Sequence, residues 1–195
     1  LSDTKPTGLV VVLSAPSGGG KTTVIQHLLK QGDPRYRYSI SMTTRPMRRG
    51  DVDGRDYFFV DEQHFRAAIA AGDLVEYEQV HGYLYGTPKR LLQQWVQEGY
   101  VVLLDLDVFG ALALKKLFAE KCLTIFLKPP DLDTLVKRLQ QRKTESPQQI
   151  QRRLQRLPQE MAEAEHFDYC VINEKLHQTV AEVARLIKNR CAHYE

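Results

Sequence analysis

The apolar positions of this chain fall into short continuous runs, and each run is followed by a stretch with helical spacing. Leu9–Leu13 is an unbroken run of valine and leucine, the pattern of a strand buried on both faces of a parallel sheet. After a glycine-rich link, Val24, Ile25, Leu28 and Leu29 recur along one helix face, which predicts a helix over Thr22–Lys30. The unit repeats. Val101–Leu104 precedes a helical pattern at Val108–Phe118; Leu123–Leu127 precedes Leu132–Gln141 across Pro129-Pro130-Asp131; Tyr169–Ile172 precedes Leu176–Lys188. Strand and helix units joined by short links predict an α/β fold, a parallel sheet flanked by helices on both faces.

Two stretches break the rhythm. Ser39–Trp95 is mixed, with strands expected at Tyr57–Val60 and Leu74–Val80 and a helix at Glu62–Ala71 stopped by Gly72. Thr87 and Pro88 read as the N-cap and first residue of a further helix that runs to Gly99. This segment has the texture of an inserted substrate module. Leu135–Leu157 is helical, rich in Arg and Gln and poor in large apolar residues, with a helix start at Ser146-Pro147. No internal repeat or low-complexity tract is visible.

Length and composition narrow the class. At 195 residues, 43% hydrophobic and 26% charged, the chain suits one globular domain with insertions. A net charge of +3 is too small to argue for nucleic acid, and the basic clusters lack aromatic stacking platforms beside them. The three cysteines, Cys122, Cys170 and Cys191, form no C-x-x-C pair, and their odd number argues against a disulfide framework. Two sit in apolar runs and read as core. The apolar runs are far shorter than the ~20 residues of a membrane span, and Leu1–Pro6 has no apolar signal core. A cytoplasmic location without membrane association is expected.

The link after the first strand carries the first chemistry. Ala15-Pro16-Ser17-Gly18-Gly19-Gly20-Lys21-Thr22 fits the phosphate-loop template except that Ala15 replaces its first glycine. Glycines let backbone N–H groups turn around phosphate oxygens, and the following helix aims its N-terminus at the same anion. Lys21 is placed to bridge terminal phosphates and the Thr22 hydroxyl to ligate Mg²⁺. A strand before the loop and a helix after it are the context this motif requires, so ATP with Mg²⁺ is expected here. Ala15 can make the turn if its φ is negative. The acceptor must be read from the insertion. Arg45, Arg48, Arg49 and Arg55 precede Tyr57, and Tyr83 and Tyr85 follow with Gly86-Thr87. Arginine forks and tyrosine hydroxyls suit a phosphate monoester; a solvated basic face over core tyrosines fits that spacing equally.

The chain resembles the guanylate kinase family over nearly its whole length. The resemblance rests on SAPSGGGKTT (Ser14–Thr23), SISMTTRPMRRGDVDGRDYFFV (Ser39–Val60), LVEYEQVHGYLYGT (Leu74–Thr87), LLDLDVFGA (Leu103–Ala111), RLQQRKTESPQQIQRRL (Arg138–Leu154) and VINE (Val171–Glu174). It implies a P-loop kinase fold and one domain, with core 6–38, 96–128 and 158–195, a GMP-binding insertion 39–95 and a lid 129–157. It implies transfer of a phosphoryl group from ATP to GMP, with dGMP as a further acceptor. Ala15, Pro16, Ser17, Gly18, Gly19, Gly20, Lys21, Thr22 and Thr23, with Arg138 and Asn173, would bind ATP, Asn173 on the adenine side. Glu76 would read guanine N1–H and the 2-amino group, with Ser41 and Thr87 giving hydroxyls to the base edge. Arg45, Arg48, Tyr57 and Tyr85 would hold the GMP phosphate. Asp107 would position GMP, and Asp105 would lie beside it near the metal's water shell. Lys21, Arg48, Arg142 and Arg153 would carry catalysis, the last two reaching over from the lid.

Departures from the family pattern are Met42, Asp51, Phe109 and Lys143; none is a residue given a chemical role. A sugar-phosphate kinase would have no use for a guanine-edge reader. A non-catalytic scaffold module would have lost Lys21, Thr22 and the lid arginines. Oligomeric state is not legible in the sequence.

Overall fold

The structure is a computed structural model, and it describes residues 7–16, 18–80, 82–141 and 147–193. Strand β1 (Leu9–Ser14) lies at the centre of a five-stranded sheet, with β7 (Val101–Asp105) on one side and β8 (Cys122–Lys128) on the other. β2 (Tyr36–Tyr38) and β9 (Tyr169–Ile172) form the edges, and every pairing is parallel. The expected parallel sheet is present, and each central strand is buried along nearly its whole length.

The alternation of side chains along β1 divides the core between the two faces. Leu9, Val11 and Leu13 pack with Val24, Ile25 and Leu28 of α1 (Lys21–Lys30) and with Val183, Leu186 and Ile187 of α7 (Leu176–Ala192). Val10 and Val12 face Leu92 and Val96 of α3 (Lys89–Gln97), and Val108, Ala111 and Leu114 of α4 (Val108–Phe118). Such runs read as continuous hydrophobicity in sequence because both faces are covered.

The mixed segment folds into a second sheet of four strands, in the order β4 (Phe58–Phe59), β3 (Met42–Thr43), β6 (Tyr83–Pro88), β5 (Leu74–Val80). Helix α2 (Glu62–Ala71) is capped by Asp61, which accepts from the N–H of His64, and stops at Gly72 with φ 69°. One expectation is corrected here. Thr87-Pro88 does not open a helix from a capping threonine: both residues close β6, the helix begins at Lys89, and its first turn has no side-chain cap. The Thr87 hydroxyl is engaged across the hairpin instead, by Glu76. Helices α5 (Leu132–Gln141) and α6 (Pro147–Glu163) supply the arginine- and glutamine-rich segment. No helix among the described residues is long and apolar enough to cross a membrane. Cys122 and Cys191 are buried, Cys170 is exposed, and none of the three is in a disulfide.

Candidate active site

The phosphate loop joins β1 to α1 at the carboxyl end of the sheet, where open α/β sheets place ligands. Ala15 is buried, and its φ is not positive; Ala119 is the one non-glycine with positive φ among the described residues. The methyl group of Ala15 explains its neighbour: a Cβ added at Gly19 would lie 2.5 Å from it. Gly18 and Gly20 adopt φ of 84° and 90°, a region open to glycine at little cost. Gly19 N–H donates to the Pro16 carbonyl at 2.8 Å. Ser17 lies outside the described residues.

Lys21 opens α1 and turns its ammonium back over the loop, 3.3 Å from the Ala15 carbonyl oxygen. Burial pulls its pKa below the ordinary lysine value, against the opposing pull of Asp105, Glu160, Asp107 and Glu78. The next residue, Thr22, donates its hydroxyl to Oδ2 of Asp105 at 2.5 Å, and Tyr38 donates to Oδ1 of the same carboxylate at 2.7 Å. Asp105 and Tyr38 end the neighbouring strands β7 and β2, so the parallel register brings them together. Burial and the carboxylate keep the Tyr38 phenol protonated well beyond its usual range.

These groups line a cavity of about 390 Å³ between the two sheets. Its walls also include Ser41, Asp56, Tyr57, Glu76, Glu78, Tyr85, Leu106 and Asp107. Glu76 owes its aim to an irregularity in β5. Leu74 pairs with Pro88 and Tyr77 with Gly86, so β5 carries one residue more than β6 between those pairs, and such a bulge redirects side chains. Thr87 donates to Glu76 Oε1 at 2.5 Å. Burial pushes the Glu76 carboxyl up to about 7; the Thr87 hydrogen bond opposes this, and Asp107 and Glu78 add to it. Asp107 caps α4, accepting from Gly110 N–H at 2.7 Å.

The expected phosphate cradle is divided. Tyr57 and Tyr85 stand in the cavity wall, their rings edge to face with centroids 5.8 Å apart. Arg45 is 7% exposed and committed to Asp51 Oδ2 at 2.9 Å and the Pro46 carbonyl, with its guanidinium over Tyr57 and Phe59. The second Asp51 contact is the N–H of Arg48 at 2.8 Å. Asp51, noted above only as a departure, thus ties Arg45 to the turn that carries Arg48, whose side chain is exposed.

A second cavity, of about 320 Å³, opens on the other side of the loop and is lined by Gly18, Gly20, Thr23, Arg138, Asn173, Glu174 and Leu176. Arg138 on α5 donates to the Asn173 carbonyl at 2.9 Å, and the Asn173 amide donates to the Gly19 carbonyl at 2.7 Å. Of the expected lid residues, Arg142 lies outside the described residues. Arg153 falls on α6, and its side chain is outside them too. Tyr38 and Glu78 were missed by sequence reasoning. Glu78 had a signal, because strand alternation puts it on the same face as Glu76; Tyr38 had none beyond ending a short, half-buried strand.

Comparison with known proteins gives this geometry its relatives. The guanylate kinase family model matches residues 7–190. The guanylate kinase of Chlorobium luteolum is 43% identical over 182 residues, which cover 93% of this chain and 92% of the relative. That of Streptococcus agalactiae is 41% identical over 93% of this chain and 86% of the relative. A crystal structure of guanylate kinase from Anaplasma phagocytophilum superposes with a TM-score of 0.74 at 30% identity, covering 95% of this chain and 87% of that one. The chain belongs to the guanylate kinase family.

Proposed function

We propose that this protein transfers the γ-phosphoryl group of ATP to the phosphate of GMP, giving ADP and GDP, with dGMP as a further acceptor. The observation that carries this reading is the placement of Glu76, a half-buried carboxylate with two acceptor oxygens, in the same cavity as Lys21, Thr22 and Asp105. Guanine offers two adjacent donors, N1–H and the 2-amino group, to such a carboxylate. Adenine lacks that pair, and a site built for it rejects the analogue strongly. Ser41 and Thr87 supply hydroxyls beside it, and Tyr57, Tyr85, Arg45 and Arg48 surround the place for the acceptor phosphate.

The acceptor oxygen needs no strong general base, because the second pKa of a phosphate monoester is about 6. The difficulty is charge. The larger cavity sets Asp56, Glu76, Glu78, Asp105 and Asp107 against one ammonium, that of Lys21, and must still admit two polyanions. A divalent cation fits this wall. Thr22 and Asp105 are hard oxygen donors in contact, and no larger cluster of His, Cys, Asp or Glu suited to a metal occurs among the described residues. That is the sparse protein ligation Mg²⁺ favours when substrate phosphates and water complete its shell. Thr22 would bind Mg²⁺, with Asp105 acting directly or through water; when bound, the ion offsets phosphate charge. Lys21 would hold the β- and γ-phosphates, and Arg48 would steady the acceptor. Arg142 and Arg153 would close from the lid 129–157 over the insertion 39–95 and exclude water. ATP chemistry and cysteines outside any disulfide fit a cytoplasmic role in purine nucleotide recycling.

The test is an ADP-release assay with ATP and Mg²⁺ across GMP, dGMP, AMP, UMP and ribose phosphates. Turnover confined to the guanine nucleotides supports the reading; equal turnover of AMP, or none with GMP, overturns it.

A further inference from the structure

Asn173 is 5% exposed, and both ends of its side-chain amide are hydrogen-bonded. Its Nδ2 donates to the Gly19 carbonyl at 2.7 Å. Its Oδ1 accepts from the Thr179 hydroxyl at 3.0 Å, the shortest of that hydroxyl's contacts, ahead of the Lys175 and Ile172 carbonyls at 3.3 and 3.4 Å. The two contacts are complementary. A carbonyl oxygen can only accept, so a reversed amide would set Oδ1 against the Gly19 oxygen, an unpaired and repulsive contact in a buried place. Thr179, 2% exposed on α7 and absent from the lining of both cavities, presents the donor that fixes the productive orientation.

The consequence falls on the loop. The Gly19–Gly20 peptide is trans, so its C=O and N–H point in opposite directions. Holding the Gly19 carbonyl on Asn173 turns the Gly20 N–H the other way, while the Gly19 N–H is already spent on Pro16. The loop has no room to drift back: a Cβ on Gly20 would lie 2.7 Å from Asn173 Nδ2, and one on Gly18 would lie 2.9 Å from Leu139 Cδ2.

We propose that Thr179 is a positioning residue for the ATP site: through the Asn173 amide it sets the Gly19–Gly20 peptide plane and so the aim of the Gly20 N–H at phosphate. This rests on the phosphate-loop part of the functional reading, not on the identity of the acceptor.

The experiment compares wild type, Thr179→Val and Thr179→Ser. It measures KM for ATP and for GMP, kcat, and calorimetric binding of a non-hydrolysable ATP analogue. Thr179→Val keeps the buried shape and removes the donor. It should weaken analogue binding and raise KM for ATP on the order of fivefold, the worth of about one hydrogen bond, with KM for GMP unchanged. Thr179→Ser should restore both. Analogue affinity equal to wild type in Thr179→Val overturns the proposal, as does a parallel rise in both KM values. If Thr179→Val does not fold, Asn173→Asp replaces the donor by an acceptor at the same size; it should lose analogue affinity, and unchanged affinity again overturns the proposal. Wild-type turnover of GMP tests the function, whereas the variant-to-wild-type ratio of analogue affinity tests Thr179, so the two fail separately.

Discussion

The hydroxyl of Thr87 donates to Oε1 of Glu76 at 2.5 Å, across the one irregular step of the β5–β6 pairing. This contact fixes the carboxylate proposed to read the acceptor base, and it makes the site depend on pH. Burial raises the Glu76 carboxyl to about 7 from 4.5. The folded protein therefore holds a proton that the unfolded chain releases between those values, and Glu76 makes the free protein progressively less stable as pH rises from about 4.5 to 7. Recognition requires the opposite state, since only the carboxylate accepts from both guanine donors.

GMP binding near pH 7 should accordingly release a proton from Glu76. Calorimetry at saturating GMP in two buffers of different ionisation enthalpy measures it. The GMP phosphate also titrates in this range, so the comparison is with Glu76→Gln, which keeps the phosphate contribution and loses that of the carboxyl. The variant should also melt higher than wild type at pH 8 without ligand. Equal proton release by both proteins would count against the assignment.

How far the sequence foretold this site depends on the range of the interactions. β1, β7 and β8 were legible because a strand buried on both faces is a continuous apolar run; β9 showed the same run although, at the sheet edge, only Val171 of it is buried. β2, β3 and β6 were not. Tyr36–Tyr38 and Met42–Thr43 are too short to show a period, and Tyr83–Pro88 carries a glycine and a proline that argue against a strand. Thr87 resembled a helix cap because the partner that claims its hydroxyl, Glu76, is reached only through the hairpin. The Thr22–Asp105 and Asn173–Gly19 contacts span 83 and 154 residues; resemblance named the residues, but nothing local could pair them.

Tyr38 and Asp105 give a second prediction. Asp105 accepts from both Thr22 and Tyr38, so Tyr38 orients the carboxylate expected beside Mg²⁺. Groups of this kind commonly change metal affinity by about 10- to 100-fold when lost. Asp105→Asn should raise the Mg²⁺ concentration for half-maximal activity within that range. Tyr38→Phe should raise it less, with kcat at saturating Mg²⁺ near wild type. A Mg²⁺ titration at fixed ATP decides, and an unshifted midpoint in both variants refutes the assignment.

Asp51 gives a third. Its carboxyl is held below the usual range, first by the Arg48 N–H and then by Arg45. Its folded pKa is thus depressed, and the stability it confers is present above about 4 and lost as pH falls through the folded value. Asp51→Asn keeps the shape and removes the charge. KM for GMP should rise while KM for ATP stays put, because Arg45 and the Arg48 turn lose their tie and the phosphate loop does not. Acid unfolding followed by circular dichroism should set in at higher pH in the variant than in wild type, and the variant's stability should depend less on pH across that range. A rise confined to KM for ATP would contradict the placement of these arginines.

The last prediction concerns what lets α3 approach the start of β1. A Cβ on Gly8 would lie 2.2 Å from the Val96 carbonyl oxygen and 2.7 Å from Val96 Cα. These are backbone atoms of a packed helix, and Leu9 N–H is bonded to the Tyr100 carbonyl just beyond it at 3.0 Å. Neither side can yield without shifting an element, so Gly8→Ala should cost about 3 kcal/mol, the upper end of ordinary overpacking. In a chain of this size that lowers Tm by about 6–12 °C. Gly32→Ala is the control. Gly32 has φ of 80° with nothing within 4 Å of an added Cβ, so it meets only the conformational penalty of about 1–2 kcal/mol. Thermal melts of the two variants separate steric from conformational cost. A Gly8→Ala melt no lower than that of Gly32→Ala would mean that α3 is free to move away from β1, and that the close packing does not hold the second face of the core in place.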